Sequence, residues 1–177
     1  MDLTAHVDAL KGAIRDVPDF PKPGIVFKDI TTLLKDRERF RLAMDLMAAL
    51  VGDRSVDKVL AIESRGFILG SVLASRLGAG FVPVRKPGKL PAATRRRTYA
   101  LEYGTDALEV HEDAFSRGDR VLVVDDVIAT GGTAEAAAHL VEELGATVAA
   151  CAFLVELTFL QGRKRLEPHP VLSLIRY

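Results

Sequence analysis

The segment from Val121 to Thr133, VLVVDDVIATGGT, places two acids and a glycine-rich turn directly after an apolar run. The run ends at Asp125 and Asp126, and the turn leads into a helical pattern, TAEAAAHL. Backbone N–H groups of such a turn and the positive end of the following helix bind a phosphate dianion, while threonine hydroxyls add donors and glycines permit close approach. The residues predicted to hold a phosphate are Ala129, Thr130, Gly131, Gly132 and Thr133.

The two acids at the strand end suit a different part of the ligand. Adjacent carboxylates repel a phosphate, so Asp125 and Asp126 are better suited to accepting hydrogen bonds from ribose hydroxyls or to organising a hydrated Mg²⁺. Either half of the segment alone is also explained by a polar strand end or an ordinary helix cap. The complete order indicates a ribose with a phosphate at one end. GxxxxGK[ST] is absent, and no GxGxxG follows a predicted strand.

Two units of the same design position these residues. Each has a short apolar run, a polar turn and a helical pattern: KVLAI, ESRG and FILGSVLASRLG, then RVLVVDDV, IATGG and TAEAAAHLVEELG. Runs that are apolar at consecutive positions are typical of parallel strands covered on both faces, and ATVAACAFLVEL predicts another. The pattern predicts a doubly wound α/β fold with a mainly parallel sheet flanked by helices, which binds ligands at the carboxyl ends of its strands.

The remaining segments predict helices from Asp2 to Asp16 and from about Asp36 to Val51, separated by a stiff, proline-rich loop. Between the two units, FVPVR and TYALEYG are predicted to pair as strands around a link rich in Lys, Arg, Pro and Gly. We expect one domain over residues 1–177, with a flexible flap at 86–98.

The composition is that of a globular protein with balanced charge. The chain has 24 Lys and Arg against 24 Asp and Glu, which argues against a protein whose main work is to hold nucleic acid. Cys151 lies in an apolar run and is predicted to be a buried thiol. The N-terminus does not match a signal peptide, and no apolar run approaches the roughly 20 residues of a membrane span, so we expect a cytoplasmic protein.

The segment VLVVDDVIATGGT resembles the phosphoribosyl-pyrophosphate motif of the type I phosphoribosyltransferases. Five further segments, in order, resemble the adenine-specific branch of that family over nearly the full chain: FPKPGIVFKDIT, ESRGF, RKPGKLP, YALEYG and LVELTFLQGRKRL. The resemblance implies the type I phosphoribosyltransferase fold with a small N-terminal hood. Residues 1–35 would then form the hood and the base-binding loop.

The same resemblance implies an activity. Adenine would react with 5-phosphoribosyl 1-pyrophosphate to give AMP and pyrophosphate, in purine salvage. The implied cofactor is Mg²⁺, held mainly by substrate and water without a direct protein ligand. A homodimer is implied as well, with no nucleic acid and no membrane among its partners.

Matching positions carry the family's roles onto this chain. The turn at 129–133 would bind the 5-phosphate, and the two acids before it would bind the ribose hydroxyls. Glu102 would be the acid/base that accepts a proton from the purine at N7. The implied pyrophosphate-binding residues, some of which reach in from a neighbouring subunit, are Arg65, Arg85, Lys86 and Lys89.

The proline-rich loop resembles the family's adenine pocket. Val26 and Lys28 would offer backbone groups to the edge of the base, and Phe27 would stack on its face. The resemblance also implies a cis peptide bond between Glu63 and Ser64. Three consecutive arginines, Arg95 to Arg97, depart from the usual flap pattern.

Two other functions are compatible with the phosphate-binding segment. One is a non-catalytic regulator that senses phosphoribosyl pyrophosphate, but such proteins usually add a DNA-binding module, and no helix-turn-helix with a basic face is visible. The other is a relative that acts on a different base. The order of the five further segments favours the adenine enzyme over both.

Overall fold

A computed structural model describes residues 3–100 and 104–177 of the chain. The chain divides into two compact units, Met1–Leu46 and Met47–Tyr177. A single domain over residues 1–177, with a hood and base-binding loop at 1–35, remains a prediction. No helix in the described residues has the length and apolarity that crossing a membrane requires.

The first unit contains a two-stranded antiparallel sheet between helices. Its elements are α1 (Leu3–Lys11), β1 (Arg15–Pro18), β2 (Val26–Asp29), α2 (Thr31–Leu34) and the greater part of α3 (Arg37–Val51). Helix α3 begins after Asp36, whose Oδ1 accepts hydrogen bonds from the backbone N–H groups of Glu38 and Arg39 at 3.1 and 3.0 Å. This cap satisfies donors that a helix start leaves open, and it confirms the predicted second helix.

The predicted helix from Asp2 to Asp16 is wrong at its C-terminal end, and Asp2 itself lies outside the described residues. Helix α1 ends at Lys11, and Gly12 follows it. Glycine is a poor helix residue, and Arg15 has a strand partner in Asp29, to which its guanidinium donates at 2.5 Å. A partner distant in sequence therefore overrides the helical spacing of the apolar residues.

The second unit is built on a five-stranded parallel sheet with the order β4-β3-β7-β8-β9. Its strands are β3 (Lys58–Ile62), β4 (Gly80–Val84), β7 (Arg120–Ile128), β8 (Thr147–Glu156) and β9 (Val171–Arg176). Helix α4 (Arg65–Leu77) packs on β3, β4 and β7, while α5 (Gly132–Glu143) packs on β7 and β8. The predicted doubly wound fold with a mainly parallel sheet is confirmed.

Consecutive residues of the central strand are buried, as expected for a strand covered on both faces. Val121, Leu122, Val123 and Val124 have no exposed surface. Strand β9, which the sequence reading did not predict, lies beside β8 and is reached through two short 3-10 helices, Thr158–Leu160 and Gly162–Leu166. A buried apolar cluster includes Leu60, Ile62, Val84, Leu108, Val123, Leu140, Val141 and Phe153.

A separate two-stranded antiparallel ribbon is formed by β5 (Thr94–Ala100) and β6 (Thr105–His111), and it packs on α5. The predicted pairing of FVPVR with TYALEYG is therefore wrong. Strand β4 pairs in parallel with β3, and only Arg85 beyond it forms an antiparallel bridge, to Glu109. Residues 94–98 of the predicted flap at 86–98 belong to β5; the flap and its flexibility remain a prediction.

Candidate active site

The polar turns that follow β3 and β7 meet at one edge of the sheet, because the two strands are parallel neighbours. The guanidinium of Arg65, at the start of α4, donates to Oδ2 of Asp126 at the end of β7. The peptide bond between Glu63 and Ser64 is cis, as the sequence predicted. The ESRG and DD turns thus form one site.

The phosphate-binding turn predicted from sequence lines an open cavity of about 90 Å³. Gly131 has φ of 86°, a left-handed conformation that side-chain-bearing residues rarely adopt, and Gly132 begins helix α5. The turn therefore sits at a helix N-terminus, where backbone N–H groups have no partner within the helix. The lining residues are Asp125, Val127, Ile128, Ala129, Thr130, Gly131, Gly132, Thr133 and Ala134.

The two acids beside this cavity are in direct contact. Asp126 is 6% exposed, and its backbone N–H donates to Oδ1 of Asp125 at 2.8 Å. Burial, and next the negative charge of Asp126, raise the pKa of Asp125 well above its ordinary value. Gly66 lets α4 approach this pair, since a Cβ there would lie 3.0 Å from Oδ1 of Asp125.

The Glu63 carboxylate contacts the predicted pyrophosphate-binding residues of the 85–89 segment. Its carboxylate accepts from Nε of Arg85 at 3.2 Å, from the backbone N–H of Lys86 at 3.1 Å, and from the ammonium of Lys89. Burial opposes ionisation of Glu63, but the hydrogen bonds from Lys89 and Lys86 and the nearby positive charges outweigh it and lower its pKa. The sequence analysis missed this role of Glu63. The signal was its position: Glu63 directly follows β3, just as Asp125 and Asp126 lie near the end of β7.

Lys86 has a different carboxylate partner. Its ammonium pairs with Asp106 of β6 and lies 5.7 Å from the ring centroid of Tyr99. Asp106 and Tyr99 were also missed, and neither carries a local sequence signal, because the ribbon brings them to Lys86 through nonlocal strand pairing. Each of the four predicted pyrophosphate-binding cations therefore contacts a carboxylate.

A second chain segment, which contains Gly162, packs against the backbone of the phosphate-binding turn. A Cβ on Gly131 would collide with the carbonyl oxygen of Gly162, and a Cβ on Gly162 would collide with that of Ala129. Next to Gly162, Arg163 donates two hydrogen bonds to Glu156, at 2.6 and 2.7 Å. Glu156 is 4% exposed, and these bonds are the main cause of its lowered pKa.

Three predicted base-binding residues lie on one strand of the first unit. Val26, Phe27 and Lys28 form most of β2 in the first unit. The ring of Phe27 meets Phe20 edge to face at 5.2 Å, and the Lys28 ammonium pairs with Asp16 at 2.6 Å. Glu102 lies outside the described residues, so its role also remains a prediction.

Cys151 lies within β8 and has no exposed surface. Burial raises the pKa of its thiol to about 12. The predicted buried thiol is confirmed, and it takes no part in the site.

Comparison with known proteins agrees with the fold. The family model of the phosphoribosyl transferase domain matches residues 29–172. Adenine phosphoribosyltransferase of Thermotoga neapolitana is 61% identical over 168 residues, covering 95% of this chain and 99% of that protein. Fold and site thus define a phosphoribosyl transferase domain.

Two crystal structures narrow the assignment. The adenine phosphoribosyltransferase of Thermoanaerobacter pseudethanolicus superposes with a TM-score of 0.95 at 54% identity, covering 97% of this chain and 99% of that one. The Saccharomyces cerevisiae enzyme, complexed with adenine and an imino-altritol bisphosphate, gives 0.91 at 40% identity with the same coverage. The chain belongs to the adenine phosphoribosyltransferase family of pentosyltransferases.

Proposed function

We propose that this chain transfers the phosphoribosyl group of 5-phosphoribosyl 1-pyrophosphate to adenine, giving AMP and pyrophosphate in purine salvage. The reaction would depend on Mg²⁺ and would take place in the cytoplasm. The observation that supports this best is the arrangement at the sheet edge, where the phosphate-binding turn, an acid pair and four cations adjoin. These are the groups that a ribose with a phosphate at one end and a pyrophosphate at the other requires.

At the phosphate end, the turn at 129–133 presents backbone N–H groups and the positive end of α5. Thr130 and Thr133 add hydroxyl donors. Asp125 and Asp126 accept hydrogen bonds from the ribose hydroxyls, a role in which their negative charge faces donors and not the phosphate. The ribose is thereby held with its reacting carbon at a fixed distance from the turn.

At the pyrophosphate end, the cations exchange partners when the substrate binds. Arg65 leaves Asp126, and Arg85 and Lys89 leave Glu63, for pyrophosphate oxygens. The exchange keeps each of these cations paired with an anion. Charge-assisted hydrogen bonds of this kind also stabilise the pyrophosphate as it departs.

The donor set fits Mg²⁺ that is bound mainly by the substrate. No group of three or more His, Cys, Asp or Glu side chains in residues 3–100 and 104–177 could hold a metal ion. Asp125 and Asp126 supply hard carboxylate oxygens beside the turn, which suit an ion coordinated mostly by diphosphate oxygens and water. Bound there, Mg²⁺ would neutralise charge on the leaving pyrophosphate.

The base would be read by the backbone of β2. A carbonyl that accepts from the 6-amino group and an N–H that donates to N1, from Val26 and Lys28, would be left unpaired by hypoxanthine. N9 of adenine bonds to the ribose carbon as the bond to pyrophosphate oxygen breaks. Glu102 accepts the proton that the ring loses at N7, so that the adenine ring of the AMP product is neutral.

A homodimer belongs to this proposal. Ile68 of α4 and Phe81 of β4 are 43% and 40% exposed, and the ring of Phe81 meets that of Phe67 at 6.0 Å. Contiguous exposed apolar surface marks interaction sites, and we infer that a second subunit covers these side chains. Sedimentation equilibrium would show about twice the chain mass, and a monomer would remove this part of the proposal.

Product analysis tests the activity. The protein is incubated with adenine, 5-phosphoribosyl 1-pyrophosphate and Mg²⁺, and nucleotides and pyrophosphate are quantified by chromatography and mass spectrometry. We expect AMP and pyrophosphate in equal amounts, with formation abolished by a chelator. Absence of AMP with metal present would reject the proposal, and unchanged AMP formation after chelation would reject the metal requirement.

A further inference from the structure

Tyr99 of β5 places one hydroxyl between three polar side chains. It accepts hydrogen bonds from Oγ1 of Thr133 and from Nζ of Lys86, each at 3.3 Å. It donates to Oδ2 of Asp106 at 3.4 Å. A phenol offers one donor and two acceptor positions, so these partners use its full capacity.

The ring of Tyr99 also lies against the phosphate-binding turn. A Cβ built on Gly132 would be 3.7 Å from the ring and 3.4 Å from the carbonyl oxygen of Ala100. The β5–β6 ribbon therefore packs on the first turn of α5 at the point where the turn presents its N–H groups. Packing fixes the ring, and the fixed ring sets where the hydroxyl points.

The partners of this hydroxyl belong to opposite ends of the ligand. Thr133 is part of the turn that would bind the 5-phosphate, and Lys86 is one of the cations that would bind pyrophosphate. Both side chains rotate freely when they have no partner: the threonine hydroxyl about one bond, and the lysine about several. The rigid phenol holds the threonine and, together with Asp106, holds the lysine, which reduces the entropy that each would lose on binding its anion.

We propose that Tyr99 is a positioning residue that orients Thr133 for the 5-phosphate and Lys86 for the pyrophosphate. This inference rests on the proposed function, because it assigns those two anions to the two sides of the hydroxyl. Tyr99 contacts neither anion in this account. It acts through the two side chains that do.

The test measures the two anions separately by titration calorimetry, with ribose 5-phosphate for one end and magnesium pyrophosphate for the other. Tyr99→Phe removes the hydroxyl and keeps the ring. Loss of one oriented hydrogen bond at each end should weaken both ligands about three- to tenfold. Thr133→Val should weaken ribose 5-phosphate alone, and Lys86→Met should weaken magnesium pyrophosphate alone.

Two controls separate orientation from a general loss of structure. Tyr177→Phe makes the same chemical change at the end of the chain and should leave both affinities unchanged. In the Thr133→Val background, Tyr99→Phe should cause no further loss of ribose 5-phosphate affinity, since the hydrogen bond is already gone. A variant that is simply misfolded would add its loss to that of Thr133→Val, and this outcome would overturn the proposal.

The remaining outcomes are also decisive. If Tyr99→Phe weakens neither anion, or only one, the hydroxyl does not serve both ends and the inference is wrong. Wild-type protein that binds neither anion and forms no AMP would refute the proposed function, and the inference with it. Wild-type protein that binds both anions, with Tyr99→Phe equal to wild type, would refute the inference alone.

Discussion

Gly131 and Gly162 lie so close together that neither position has room for a Cβ atom: one on Gly131 would meet the carbonyl oxygen of Gly162, and one on Gly162 would meet that of Ala129. The backbone of the phosphate-binding turn is therefore supported by a segment more than thirty residues later in the chain. In the proposed function the turn binds phosphate through its backbone N–H groups, so its fixed shape would determine its affinity.

Gly131→Ala should raise the KM for 5-phosphoribosyl 1-pyrophosphate at least about tenfold, because the turn must move away from Gly162. Gly118→Ala is the matched control: both glycines have φ of 86°, but a Cβ on Gly118 would meet nothing within 4 Å. Both variants should lose about 1 kcal/mol from the left-handed conformation. Steady-state kinetics and thermal melts measure the two effects, and equal KM values for the two variants would refute the collision argument.

Glu156→Gln should loosen the support behind the turn. Glu156 is 5% exposed in its side chain and Arg163 is 40% exposed, so the loss of unfolding free energy should be about 1–3 kcal/mol. The KM for the ribose phosphate substrate should rise with it. Ser173, whose hydroxyl also donates to Glu156, keeps the substituted side chain in place.

The same substitution has a pH signature. The folded-state pKa of Glu156 lies below its ordinary value of 4.5, chiefly through the Arg163 hydrogen bonds. Its contribution to stability is thus complete above that value and is lost as the pH falls through the folded-state pKa. The difference in melting temperature between wild type and Glu156→Gln should be large near pH 7 and shrink below about pH 4. A difference that does not vary with pH would mean that the charge of Glu156 contributes nothing.

Asp125→Asn should stabilise the ligand-free protein and weaken its binding of ribose 5-phosphate. Asparagine keeps an oxygen for the backbone N–H of Asp126, and it removes a carboxylate whose pKa is raised by burial and by the neighbouring charge. Because the folded-state pKa is raised, wild type loses stability as the pH rises from about 4 towards that pKa. The variant should melt about 3 °C higher than wild type at pH 8 and equally at pH 4.

Ribose 5-phosphate affinity should fall in the same variant, because one acceptor for the ribose hydroxyls is lost. Asp126→Asn is the contrasting case, since it removes the negative charge that pairs with the Arg65 guanidinium and should lower the melting temperature. If Asp125→Asn binds ribose 5-phosphate as tightly as wild type, the ribose role falls to Asp126 alone.

The features that could be predicted from the sequence are those marked by a pattern of neighbouring residues. Strands β3, β7 and β8 and the turns after them were predicted because consecutive buried apolar residues mark a parallel strand, and a ligand site follows its carboxyl end. Resemblance to a family then named the residues and the base.

The missed features depend on pairing between distant segments. Tyr99 and Asp106 reach Lys86 only because β5 pairs with β6, and the arginines of β5 were assigned to the flap because the link is rich in Lys, Arg, Pro and Gly. Gly162 and Arg163 support the phosphate turn only because β9 lies beside β8. No spacing within either segment indicates such contacts.

Glu102→Ala should lower kcat about 10²- to 10⁴-fold, the usual contribution of a positioned general base. Binding of 5-phosphoribosyl 1-pyrophosphate, measured by calorimetry, should change little, since the carboxylate serves the base. Glu112→Ala, at a position whose side chain is half exposed and 3.9 Å from Arg95, should leave both quantities unchanged. Equal losses of turnover and binding would make Glu102 a structural residue.

The most direct test of the whole account is a spectrophotometric assay of kcat/KM with adenine, hypoxanthine, guanine and orotate as competing acceptors. Backbone recognition by Val26 and Lys28 leaves buried polar groups unpaired against any base that lacks the 6-amino pattern, so adenine should be preferred about 10³-fold or more. Comparable rates with hypoxanthine, or preference for any base other than adenine, would contradict it.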